Sequence, residues 1–125
     1  MGRSPAFQPK RIYDPVSPAD GMRVLIDRLW PRGISKDKAA IDLWLKDVTP
    51  STGLRQWFHC EPDGWMEFAR RYRLELEQQP AAIQQLIDAA QAGPVTLVSA
   101  VKDMERSHVS VLLAFLQAAS SSLKK

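Results

Sequence analysis

The run RVLIDRL, Arg23 to Leu29, with its continuation WPRG to Gly33, decides how this chain folds. Val24, Leu25 and Ile26 follow one another without a polar interruption, as in a strand covered on both faces of a parallel sheet. A second uninterrupted run, VTLVSAV from Val95 to Val101, sits behind Gly93-Pro94 and reads the same way. The segments between the two runs carry apolar residues at helical spacing. Helices between all-apolar strands predict an α/β domain, with a small, mostly parallel or mixed sheet of about four strands flanked by helices.

Working outward, Trp65, Phe68, Ala69, Tyr72 and Leu76 make one apolar stripe on a helix over 65–78. Glu67, Arg71 and Glu75, and Arg73 with Glu77, stand four apart on its outer face. Pro50-Ser51-Thr52 caps a short helix that runs to Phe58, and Pro80 opens another that stops at Gly93. Ser107 N-caps a last helix with Val109, Leu112, Leu113 and Leu116 inward. Residues 41–46, IDLWLK, alternate enough for a third strand. Lys10 to Tyr13 forms another, stopped by Asp14-Pro15. The linker PVSPADG is short for a parallel crossover and leaves the first strand's direction open.

The chain of 125 residues is 45% hydrophobic and 25% charged, which predicts one compact domain over 10–118, with 1–9 and 119–125 as flexible ends. A net charge of +3 permits an anionic partner without requiring one. The single cysteine, Cys60, excludes an internal disulfide and a multi-cysteine metal site, and His59 beside it has no further ligands at metal spacing. No metal and no cofactor are expected. No apolar leader and no span of about 18 apolar residues are visible, so a cytoplasmic protein without membrane contact is expected. GxGxxG, GxxxxGK[ST], HExxH and GxSxG are all missing, which removes NAD, P-loop, zincin and serine-hydrolase readings.

In open α/β sheets, ligands bind beyond the carboxyl ends of the strands. Three polar segments fall there: Tyr13-Asp14, DRLWPRG, and KDMERSH from Lys102 to His108. Arg28 and Arg32 have the forked donors that suit a phosphate or carboxylate, with Lys102 beside them. Asp27, Asp103 and His108 are acid or base candidates. Each has a structural counterpart. Arg28 with Asp27 or Asp103 is also what a buried ion pair needs, and Trp30 is first a packing anchor. Pro31-Arg32-Gly33 reads as a turn in which glycine takes a positive φ. His108, in the first turn of a helix, has nearby backbone to bond.

With KRIYDPVSPADGMRVLIDRLWPRGISKDKAAIDLWLKDVTPSTGLRQWF in view, the chain resembles the YeaO-like family of uncharacterised bacterial proteins, a domain of unknown function. The likeness covers Lys10 to about Leu116 and rests on DRLWPRGI, LKDVTPST and VSAVKDMERSH. It implies a compact α/β domain in a soluble bacterial protein and supplies no activity. Matching positions single out Tyr13, Asp14, Asp27, Arg28, Trp30, Arg32, Gly33, Lys102, Asp103 and His108. Ser99 stands where relatives often have Tyr, and Ser107 where they often have Asn.

Three readings follow. In the first, a cleft at the sheet edge binds a small anion such as a nucleotide or phosphorylated metabolite. Tyr13, Asp14, Arg28, Trp30, Arg32, Gly33, Lys102 and Asp103 then line it, and Asp27 and His108 are the catalytic candidates if it is an enzyme. In the second, Arg55, Arg70, Arg71 and Arg73 contact nucleic acid. In the third, the charges only organise the fold for a protein partner. Oligomeric state is open in all three.

Overall fold

The computed structural model describes residues 7–123. Four strands, β1 (Phe7–Arg11), β2 (Met22–Leu25), β3 (Leu43–Trp44) and β4 (Val95–Ser99), form one sheet in the order β1-β4-β2-β3. Every pair is parallel, so the direction left open for β1 is the direction of all the others. Five α-helices accompany them among the described residues: α1 (Lys36–Ala39), α2 (Thr52–Cys60), α3 (Trp65–Glu77), α4 (Pro80–Ala92) and α5 (His108–Leu123). Among the described residues no helix is long and apolar enough to cross a membrane.

Alternation along the strands divides the interior. Phe7, Val24, Ile26, Val95 and Leu97 point to one face, where α2, α3, α4 and α5 pack on them through Leu54, Tyr72, Leu86 and Leu112. On the other face Ile12, Leu25 and Val98 meet Ala39 of α1, with Trp30, Ile34 and Trp44 around them. One cover is made of four helices. The other is a loop and a single helical turn.

Several expected boundaries move. β1 spans Phe7–Arg11 rather than Lys10 to Tyr13, and α5 continues to Leu123. Residues 1–6 and 124–125 of the expected flexible ends lie outside the described residues. Pro9 is tolerated because β1 is an edge strand, where a residue without an N–H disrupts least. β2 stops at Leu25 instead of Leu29, and two residues on the backbone carbonyl of Asp27 accepts the Trp44 indole N–H at 2.6 Å. β4 stops at Ser99 because the next amide, Ala100, donates to the Asp27 carboxylate at 2.8 Å. β3 keeps only Leu43–Trp44, since a 3-10 turn follows at Lys46–Val48.

The linker between β1 and β2 is not a plain connection. β4 lies between those two strands, and the linker crosses this face of the sheet as a short 3-10 turn, Pro18–Asp20, capped by Ser17. Asp20 is buried at its end. Its carboxylate accepts from Lys10 Nζ at 2.9 Å, Arg23 Nη1 at 2.7 Å and the Ser17 amide at 3.1 Å. Arg23, 2% exposed, spends its other donors on the Ala39 carbonyl at 3.0 and 2.8 Å. Gly21 then turns the chain into β2 with φ at 63°, where a Cβ would stand 2.2 Å from the Pro94 carbonyl oxygen. Only glycine fits that crossing.

Candidate functional site

The adjacent carboxyl ends of β2 and β4 are joined by one side chain. Asp27 follows the fully buried Ile26. Its Oδ1 accepts from the Ser99 hydroxyl at 2.6 Å and lies 3.1 Å from His108 Nε2. Its Oδ2 accepts from the Ala100 amide at 2.8 Å. A single carboxylate therefore ties the end of β2, the end of β4 and the first residue of α5. Burial pushes its pKa up, but the bonds from His108, Ser99 and Ala100 outweigh burial and hold it below the ordinary carboxylate value.

Beside this knot lies a cleft of about 580 Å³. Its floor is apolar: Ile26 and Phe68 are buried, and Phe58 and Val101 half-buried. Four arginines belong to its lining, Arg28 and Arg32 from the loop after β2, Arg55 from α2, and Arg106 from the turn before α5. Among the described residues none of the four makes an ion pair with a carboxylate. Arg28 Nε donates to the Pro50 carbonyl at 3.3 Å, so the anticipated pairs of Arg28 with Asp27 or Asp103 do not form. Asp27 has taken His108 instead.

The loop bearing Arg28 and Arg32 is held from the far side. Trp30 packs edge-on against Trp44, with ring centres 5.5 Å apart, and donates its indole N–H to the Ile34 carbonyl at 2.9 Å. Trp30 is the packing anchor anticipated for it. The Tyr13 hydroxyl donates to the Arg32 carbonyl at 2.8 Å, and Gly33 takes the expected positive φ, 78°. On the other wall Asp103 accepts from the amides of Glu105 and Arg106 at 3.1 and 3.2 Å, which makes the turn that carries Arg106. The Ser107 hydroxyl caps α5 by accepting from the Val109 amide at 3.1 Å.

Of the residues singled out in sequence, Asp27, Arg28, Trp30, Arg32, Asp103 and His108 line this cleft. Tyr13 and Gly33 shape its loop without lining it. Asp14 and Lys102 are exposed and lie outside the lining. Three contributors went unassigned to the site: Ser99, Arg55 and Arg106. Arg106 lies inside the KDMERSH segment, which was the available signal. Arg55 and Phe58 stand three apart on α2 and so share the face that reaches the cleft.

The outer arginines of α3 are engaged differently. Arg70 and Arg71 both clasp Glu67, at 2.7 and 2.6 Å, and those bonds bring the Glu67 carboxyl down to about 2. Glu75 turns away from Arg71 and accepts from the amide and hydroxyl of Ser51 at 2.8 and 2.6 Å, fixing the start of α2. At the end of α2, Cys60 is an exposed free thiol.

The family described as "Inactive DUF488-N3 subclade" matches residues 6–124. The chain is 43% identical over 111 residues to Uncharacterized protein YeaO of Escherichia coli (strain K12), covering 89% of this chain and 96% of that protein. It is 42% identical over 116 residues to Uncharacterized protein Rv3073c of Mycobacterium tuberculosis (strain ATCC 25618 / H37Rv), covering 93% and 98%. No solved structure matches it.

Proposed function

Since the chain belongs to this YeaO-like family, the inactive DUF488-N3 subclade, we propose that it is a binding domain whose ligand is a small anion held in the arginine-lined cleft. One observation carries the reading. Four arginines line one cleft with no carboxylate paired to any of them among the described residues, while Asp27 beside them already has three hydrogen-bond partners. Paired, forked donors of this kind recognise phosphate and carboxylate groups.

Asp27 and His108, the catalytic candidates, take binding roles here. A carboxylate that accepts three bonds and sits below its ordinary pKa is a poor proton acceptor at neutral pH. Asp27 fixes His108 at the cleft wall, and His108 offers a contact to the ligand. The family's description as inactive supports binding without turnover. The nucleic-acid reading is weaker, because Arg70 and Arg71 are occupied by Glu67.

The test is a thermal-shift screen of the protein and Arg32→Ala against inorganic phosphate, sugar phosphates, nucleotides and short oligonucleotides. A ligand at 100 times its Kd adds about 2.7 kcal/mol, several degrees in a domain of this size. Arg32 is exposed and its side chain makes no bond within the described residues, so Arg32→Ala should melt within about 2 °C of the parent. Loss of the ligand shift in that variant supports the reading. A panel with no effect on the parent, or an equal shift in both proteins, contradicts it.

A further inference from the structure

Resting on that reading, we infer that the ligand is an organic phosphate with a flat apolar group, its phosphoryl end among the arginines and its flat end between Leu29 and Phe58. Size argues against a bare ion. About 580 Å³ lies within the range of roughly 300–1,000 Å³ that organic ligands occupy, whereas a water's share of liquid is only about 30 Å³.

The number of cations argues for a phosphoryl group. A phosphate monoester carries about −1.5 to −2 charge and three acceptor oxygens, so it can engage more than one guanidinium fork. A lone carboxylate offers two oxygens and one charge, and it would leave most of the four arginines uncompensated.

The apolar part of the lining argues for a flat group. Leu29 is 70% exposed, yet its neighbours in the loop are anchored, Arg28 by Pro50 and Trp30 by Trp44 and Ile34. It lines the cleft from an anchored loop, and Ile26, Phe58 and Val101 are further apolar residues of the same lining. Phe58 stacks on Phe68 with ring centres 4.5 Å apart and planes 21° from parallel. A ring entering the cleft extends that stack in the offset geometry aromatic groups favour. Leu29 supplies the aliphatic contact from the other element.

Isothermal titration of phenyl phosphate, glycerol 3-phosphate and benzoate against the protein, Leu29→Ser and Arg32→Ala tests this. Phenyl phosphate should bind about tenfold more tightly than glycerol 3-phosphate, the worth of one partly buried ring. Leu29→Ser, at an exposed position that the fold does not need, should narrow that ratio to about threefold or less. Arg32→Ala should weaken both phosphates. Equal binding of the two phosphates to the parent overturns the inference and leaves the anion site standing. Benzoate binding as tightly as phenyl phosphate overturns the phosphoryl assignment. Failure of all three to bind overturns the inference together with the reading beneath it.

Discussion

Replacing Asp20 by alanine is expected to destabilise the domain by about 3–5 kcal/mol, the cost of breaking a buried ion pair from one side. The Asp20 carboxylate is 6% exposed and accepts from Lys10, Arg23 and the Ser17 amide, and the Arg23 side chain is 3% exposed. Its removal strands a guanidinium in the interior, facing a carbonyl but no anion. At about 3–5 °C per kcal/mol for a chain of this length, the melting temperature should fall by more than 9 °C. Removing both charges, as Asp20→Leu with Arg23→Met, should recover much of the loss, because no ion is then left unpaired. Chemical denaturation of the two variants separates a charge effect from a packing effect. A loss below 1 kcal/mol in Asp20→Ala contradicts the buried network.

Asp27→Ala should cost roughly 3 kcal/mol, because the Ser99 hydroxyl, the Ala100 amide and His108 all lose their acceptor in a site that is only 15% exposed at the acid. The same variant should also weaken anion binding, since the ends of β2 and β4 and the start of α5 are no longer tied. Both aspartates further predict acid sensitivity. Burial raises the pKa of each, but their hydrogen-bond donors prevail, and both sit below the unfolded value near 3.8. Ionised in the fold where the unfolded chain begins to take up protons, they add stability that is complete above about pH 4. That stability drains as the pH falls through the lowered folded values. Unfolding free energies measured from pH 6 to pH 2 should therefore decline steeply below pH 4 in the parent. The decline should be shallower in Asp27→Ala. Equal slopes would contradict the assignment.

What sequence could reveal followed burial. Val24 to Ile26, Val95 to Val98 and the stripe through Tyr72 are apolar because they are enclosed, and periodicity reports enclosure directly. β1 was harder, because Gln8, Pro9 and Lys10 look like linker and one edge strand tolerates them. The second face of the sheet was hidden for a different reason. The linker that crosses it, PVSPADG, has the composition of a turn, and nothing in hydropathy marks Asp20 as buried. The available signal was Ser17-Pro18-Ala19-Asp20, a capping-box spacing with Pro at the first helical position.

At the site, the gathering of the DRLWPRG and KDMERSH segments at one sheet edge followed from placing both beyond strand ends. The identity of Asp27's partners did not. Its choice of His108 over Arg28 depends on where Pro50 and α2 sit, which is a tertiary fact. Arg55 joins the cleft for the same reason. Lys102 was expected there by adjacency along the chain, but the turn made by Asp103 presents Arg106 and leaves Lys102 outside.

In the proposed site Arg28, Arg32, Arg55 and Arg106 act together on one anion. Nitrogen-15 spectra of the arginine side chains, recorded while inorganic phosphate and then phenyl phosphate are added, observe each guanidinium separately. The Nε signals of these four should move along a common saturation curve, while Arg70 and Arg71, already held by Glu67, stay in place. Shifts confined to Arg70, Arg71 and Arg73, or spread evenly over every exposed arginine, would contradict it.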